Sequence, residues 1–213
     1  MENQNHAFNY AYLLKQVKAR VLLAQKKAIY TANEEMLSMY WDIGKLLSES
    51  QKQIGWGNNA LEKLANDLKN DYPEMKGFSV RNCQFMIQFY NEYNQQLTNT
   101  KRAVSYLNNN EIVLPVSKLG WSHNITLMQR TKDIKARYWY MIQCLKNGWS
   151  RDFLIEAIKQ DYYHSHGALA SNFDTTLPEI QAKQVKETLK DPYIFDMLTF
   201  TEEYDERDIE PVS

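Results

Sequence analysis

Three acid-x-lysine triplets are the first residues whose types and spacing could do chemistry. They are Asp67-Leu68-Lys69, Glu74-Met75-Lys76 and Asp133-Ile134-Lys135. Metal-dependent nucleases use such a triplet to hold Mg²⁺ and to place a lysine beside the attacking water. That chemistry needs the triplet on a strand, with a further acid projecting from a neighbouring strand. Here all three lie in helical patterns or in a connector, and no run of β-branched residues surrounds them. None is read as catalytic. His164-Ser165-His166 offers two imidazoles at i and i+2, but no cysteine or acidic cluster of suitable spacing completes a ligand set. Surface-loop histidines are the simpler reading. There is no G-x-S-x-G, no phosphate loop and no G-x-G-x-x-G. No catalytic residue, metal or cofactor is expected in this chain.

The remaining candidates point to binding. Net charge is −1 over 213 residues, yet it is unevenly spread. Between Lys118 and Arg151 seven cations stand against Asp133 alone, a net of +6. From Asp191 to the end eight acids stand against Arg207, a net of −7. Such asymmetry suits a surface that faces a polyanion; two ordinary solvated faces are the plainer account. Ahead of the basic block runs Lys76-Gly77-Phe78-Ser79-Val80-Arg81-Asn82-Cys83, and Arg81, Gln84, Gln88 and Asn91 form a polar stripe at helical spacing. If this helix reads DNA, Ser79, Arg81, Asn82, Gln84 and Gln88 are the side chains in reach. Arginine suits guanine edges or phosphate, and asparagine and glutamine suit adenine edges. Phosphate contacts fall to Lys132, Lys135, Arg137 and Arg151. An amphipathic helix with a solvated polar face explains the stripe equally well.

The elements that must position these residues are mostly helices. Leu14, Val17, Val21, Ala24 and Ala28 recur at three- and four-residue spacing. Thr31-Ala32-Asn33-Glu34 matches a capping box, so residues 1–54 are expected to form a helical hairpin or a long kinked helix. Met36, Tyr40, Ile43 and Leu47 line its buried side. A helix over about 60–70 and another over 79–93 could make a helix-turn-helix, although DYPEMKGF is longer than the usual turn of about three or four residues. AVSYL (103–107) and EIVLPV (111–116) flank NNN and predict one small β-hairpin, with Pro115 at an edge. Helices resume near Ser122, Lys132 and Ser150, then from Pro178 to about Lys190, and at Pro192.

Gly77-Phe78-Ser79, Gly120-Trp121-Ser122 and Gly148-Trp149-Ser150 repeat one device at spacings of 43 and 28 residues. In each, glycine permits positive φ, the aromatic anchors the incoming chain, and serine caps the next helix. Cys83 and Cys144 sit inside apolar helical patterns and read as buried free thiols. No run of about 18 apolar residues is present, and MENQNHAFNYAY lacks the layout of a signal peptide. A cytoplasmic location is expected.

Several segments resemble one bacterial family. YWDIGKLLSE (40–49), GWGNNALEKLANDLKNDYPEMKGFSVRNCQFMIQFY (55–90), LGWSHNITLMQRTKDIKARYWYMIQCLKNGWSRDFLIEAI (119–158) and LKDPYIFDML (189–198) follow, in order, the N-terminal domain of YhcG-like proteins. Together they span about residues 10–200. The resemblance implies a mainly α fold: a helical bundle with the N-terminal hairpin and a helix-turn-helix or winged-helix-like DNA-binding unit. It implies that a Mg²⁺-dependent PD-(D/E)XK nuclease part follows this domain in full-length members. On that reading residues 1–54 are the hairpin, 55–200 a non-catalytic DNA-binding region, and 201–213 an acidic linker to a nuclease domain that is absent here. The family's GFS-x-RN segment falls on Gly77, Phe78, Ser79, Arg81 and Asn82. The rival expectation is a protein–protein interaction or homodimerisation module built on the N-terminal helices.

Overall fold

The computed structural model describes residues 10–54, 58–103, 116–167 and 182–198. Among them every regular element is helical. The α-helices are α1 (Tyr10–Ile54), α2 (Asn58–Asp71), α3 (Val80–Ala103), α4 (Trp121–Arg130), α5 (Ile134–Asn147), α6 (Arg151–Lys159), α7 (Ala182–Leu189) and α8 (Pro192–Leu198). Short 3-10 turns over Lys76–Phe78 and Val116–Lys118 lead into α3 and α4. The β-hairpin expected over AVSYL and EIVLPV lies almost wholly outside the described residues. Its first residue, Ala103, ends α3, and its last, Val116, begins a 3-10 turn.

Of the hairpin and the long kinked helix expected at the N-terminus, the hairpin is corrected: α1 is a single helix of 45 residues. Thr31-Ala32-Asn33-Glu34 does not start a second one. Asn33 is fully buried and donates its amide to the carbonyls of Ser117 and Leu119, at 3.0 and 3.1 Å. Glu34 pairs with Lys118. Residues that resemble a cap instead fasten the chain entering α4 to the middle of α1. Tertiary partners overrode a local signal that is worth only about 1 kcal/mol.

The second half of α1 packs on α3. Gly44 is where the two backbones meet: a Cβ there would stand 2.1 Å from the Met86 carbonyl oxygen. Around that contact lies an aromatic core. Trp121 sits 5.0 Å from Tyr40 and 5.2 Å from Phe89, and Phe89 sits 5.3 Å from Tyr93, ring centre to ring centre. The last two pairs are edge-on, a geometry that adds to the gain from burial. A smaller cluster of Leu47, Leu61 and Cys83 joins α2 to the same pair of helices.

The first half of α1 does not share this core. Tyr10, Leu14, Val17 and Val21 are exposed, and Tyr30 is the first fully buried residue along the helix. No described helix is long and apolar enough to cross a membrane.

Candidate nucleic-acid interface

The three Gly-aromatic-Ser segments start helices in three different ways. Ser79 accepts from the Asn82 amide N–H at 3.2 Å, and Ser150 accepts from that of Phe153 at 3.2 Å, both as caps. Ser122 is no cap, because α4 already begins at Trp121. Its N–H donates to Asp191 Oδ2 at 2.8 Å and its hydroxyl to Oδ1 at 3.1 Å. Oδ1 also accepts from the Tyr193 N–H at 3.2 Å, so one carboxylate caps both α4 and α8. Positive φ occurs at Gly148 alone of the three glycines, at 62°. Gly77 and Gly120 serve close approach instead. An added Cβ would meet the Tyr40 hydroxyl at 2.6 Å in one case and Asp191 Oδ2 at 2.6 Å in the other.

These helix starts surround a cleft of about 300 Å³. Arg81 from α3, Arg130 from the end of α4 and Arg151 from the start of α6 line it, with Ser79 and Gln129. All three arginines are exposed. Arg151 makes a loose 3.7 Å contact with Asp152, and the Arg81 guanidinium lies 5.5 Å from the Phe85 ring centre. Phe85, Ile125, Ile155 and Tyr193 supply an apolar and aromatic lining. Guanidinium groups over apolar and aromatic surface can bind phosphate and stack on a flat ring together.

The residues expected from sequence divide into three groups. Ser79, Arg81 and Arg151 converge on the cleft. Lys132 and Lys135 are exposed but do not line it. Asn82, Arg137 and Gln88 are already engaged inside the protein. Asn82 is 1% exposed; its Oδ1 accepts from Trp121 Nε1 at 2.7 Å and its Nδ2 donates to the Gly77 carbonyl at 2.6 Å. It cannot read a base while both ends of its amide hold the fold. Arg137 is 4% exposed, pairs with Glu92 at 2.6 Å, donates to the Thr131 carbonyl at 2.8 Å and lies over Tyr93. It is corrected from phosphate ligand to structural ion pair. Gln88 is half-buried and donates to Glu92 Oε1 at 2.6 Å.

A second hollow of about 280 Å³ shares Ser122 and Arg151 with the first and adds His123, Glu187, Lys190 and Asp191. Serine, histidine and aspartate here do not form a catalytic relay. His123 Nε2 is 2.9 Å from the Trp149 carbonyl, not from the Ser122 hydroxyl. Burial pushes the His123 pKa down, against the hydrogen bond to Trp149 and the nearby Asp191. Burial pushes the Asp191 carboxyl up, against the hydrogen bonds it accepts from Ser122 and Tyr193. Cys83 and Cys144 are buried free thiols, and burial pushes Cys83 up to about 11. His164 and His166 are exposed, His164 beside Asp161 at 2.6 Å. Among the described residues no cluster of metal-ligating side chains occurs.

Sequence reasoning missed Gln129, Arg130 and Asp191 as parts of this region. Arg130 was inside the basic block, and Asp-Pro signals a cap for α8. Nothing local shows that Asp191 also reaches Ser122, 69 residues earlier.

The fold and cleft define a mainly helical domain with an arginine-lined hollow. The chain belongs to the family described as DUF1016 N-terminal domain, whose model matches residues 16–165. It is similar to a protein of Escherichia coli (strain K12) described as "Putative nuclease YhcG", with 23% identity over 213 aligned residues and 88% of this chain covered. The chain spans 55% of that relative's length. No solved structure matches it.

Proposed function

We propose that this domain binds DNA without doing chemistry and delivers it to the nuclease part of a longer protein. The observation that carries the reading is the convergence of Ser79, Arg81, Arg130 and Arg151 on one cleft. Three exposed guanidinium groups, Arg81 and Arg151 at helix starts and Arg130 at the end of α4, suit phosphate oxygens. The description of the E. coli relative as a nuclease supports a DNA ligand. Arg81 and Gln84, exposed near the start of α3, form the face that would meet a groove, with α2 and α3 serving as the helix-turn-helix pair. Lys132 and Lys135 extend the positive surface beyond the cleft.

A salt titration of duplex binding tests this. Affinity should fall steeply as salt rises. Paired Arg81→Glu and Arg151→Glu changes should weaken binding by at least about a hundredfold, since each converts a phosphate contact into a repulsion. Undetectable duplex binding at low salt overturns the reading.

A second reading rests on the first half of α1. Tyr10, Leu14, Val17 and Val21 are 66%, 37%, 51% and 51% exposed and, with Ala24 and Ala28, keep the alternating four–three spacing of a coiled-coil seam. Between Tyr10 and Asn33 there are five cations and no acid. A second copy would bring like charge against like, so the occupant proposed is a partner helix with acidic flanks. Light scattering with Val17→Ser and Val21→Ser checks the alternative. A dimer that these changes abolish would show that self-pairing prevails over the charge argument.

A further inference from the structure

We propose that the arginine-lined cleft, besides contacting phosphates, takes a single unpaired nucleotide at a strand end or in an overhang of the bound DNA. The inference rests on the DNA-binding reading above and concerns the same cleft.

The lining has two chemistries. Arg81, Arg130 and Arg151 suit a phosphate, while Phe85, Ile125, Ile155 and Tyr193 suit a flat apolar ring. A site for duplex backbone alone needs only the first, because duplex bases stay stacked inside the helix and never reach an apolar floor. Unpaired bases are bound by stacking on aromatic side chains and guanidinium planes. The cleft supplies both in one place, since the Arg81 guanidinium lies over the Phe85 ring at 5.5 Å. Its volume of about 300 Å³ is of the size that one small ligand fills.

The polar groups around the floor are also arranged for a ligand that enters it. The Ser122 hydroxyl and the Thr126 hydroxyl are spent inside the protein, on Asp191 and on the Ser122 carbonyl. Asn82 is likewise engaged. What faces the cleft, besides Ser79 and the exposed Gln129, is therefore the three arginines and the apolar side chains, a pairing that recognises a nucleotide through phosphate and ring.

The test compares three DNAs on the whole chain by fluorescence anisotropy at one low salt concentration. They are a blunt duplex, the same duplex with a short single-stranded overhang, and that duplex with an abasic overhang. The overhang should bind at least about tenfold tighter than the blunt end, the gain expected from stacking one base. The abasic overhang should lose that gain although its phosphates remain. Phe85→Ala, which removes the ring beside the Arg81 guanidinium, should bring the ratio between overhang and blunt duplex toward one. A thermal melt confirms that the variant is folded, and the abasic comparison stands without it. Equal binding of overhang and blunt duplex, or of abasic and normal overhangs, overturns the inference and leaves the duplex reading intact. Binding to none of the three removes both.

Discussion

Trp121 donates its indole N–H to Asn82 Oδ1 at 2.7 Å, across 39 residues of sequence. Trp121 is fully buried, and the same asparagine donates to the Gly77 carbonyl at 2.6 Å. This amide ties the first turns of α3 and α4 to the 3-10 turn before α3, and so fixes where Ser79 and Arg81 stand. Asn82→Ala would leave the Trp121 N–H and the Gly77 carbonyl unpaired in the core. The expected loss is about 2–4 kcal/mol of stability in urea unfolding. Asn82→Asp keeps the acceptor for Trp121 but cannot donate to Gly77 when ionised, and should also destabilise. A change of under about 0.5 kcal/mol for the alanine variant would show that Asn82 does not hold this junction.

Arg137 and Arg151 should respond oppositely to truncation. Arg137 pairs with Glu92 while buried, so Arg137→Ala should cost stability. The loss should fall somewhat below the ~3–5 kcal/mol of a fully buried pair, because the Glu92 side chain keeps 31% of its surface in water. The exposed Arg151 should tolerate alanine within about 0.5 kcal/mol while losing DNA affinity. Chemical denaturation and anisotropy on both variants separate the two roles. An Arg137→Ala protein of unchanged stability would contradict the structural assignment.

How much of this was legible in the sequence follows from where each signal lives. Helix positions were readable because Met36, Tyr40 and Leu47, or Cys83 and Met86, repeat at helical spacing and are buried as that spacing implies. Asp133, Ser150 and Pro192 mark their helix starts locally. The polar stripe on α3 was visible too, and Arg81, Gln84 and Asn91 are exposed, but the DNA-contact residue beside it was misplaced. Arg81 and Gln84 face solvent, whereas Asn82, their neighbour in sequence, points into the core. Asparagine and arginine look alike on paper whether they meet water, DNA or a buried partner. Only the chain returning at Trp121 and Glu92 decides. For the same reason Thr31-Ala32-Asn33-Glu34 resembled a capping box, and its Asn33 proved to be a clamp.

His123 should give the protein an acid-sensitive stability. Burial holds its folded-state pKa below the ordinary value of 6.5, so the folded chain keeps it neutral while the unfolded chain takes up a proton. The unfolded state then binds more protons as pH falls through about 6.5, and stability drops. Above that pH the contribution is fully present. Asp191 and Glu187 pull the histidine pKa upward and Arg151 pulls it down. The buried Asp191 titrates with its own, upward-shifted pKa, so comparing the wild type with His123→Gln isolates the histidine. Between pH 7 and pH 5 the urea midpoint should fall less for His123→Gln. Parallel curves for the two proteins would rule out His123 as the source.

The unbroken course of α1 sets a distance. From Tyr10 to Tyr30 the helix advances about 30 Å at 1.5 Å per residue. With no proline and no glycine in that stretch, nothing invites a kink. Whatever grips the stripe near Tyr10 is therefore kept a fixed span from the aromatic core. On the partner-helix reading proposed above, the first half of α1 would act as a ruler that sets the separation between that partner and the arginine cleft.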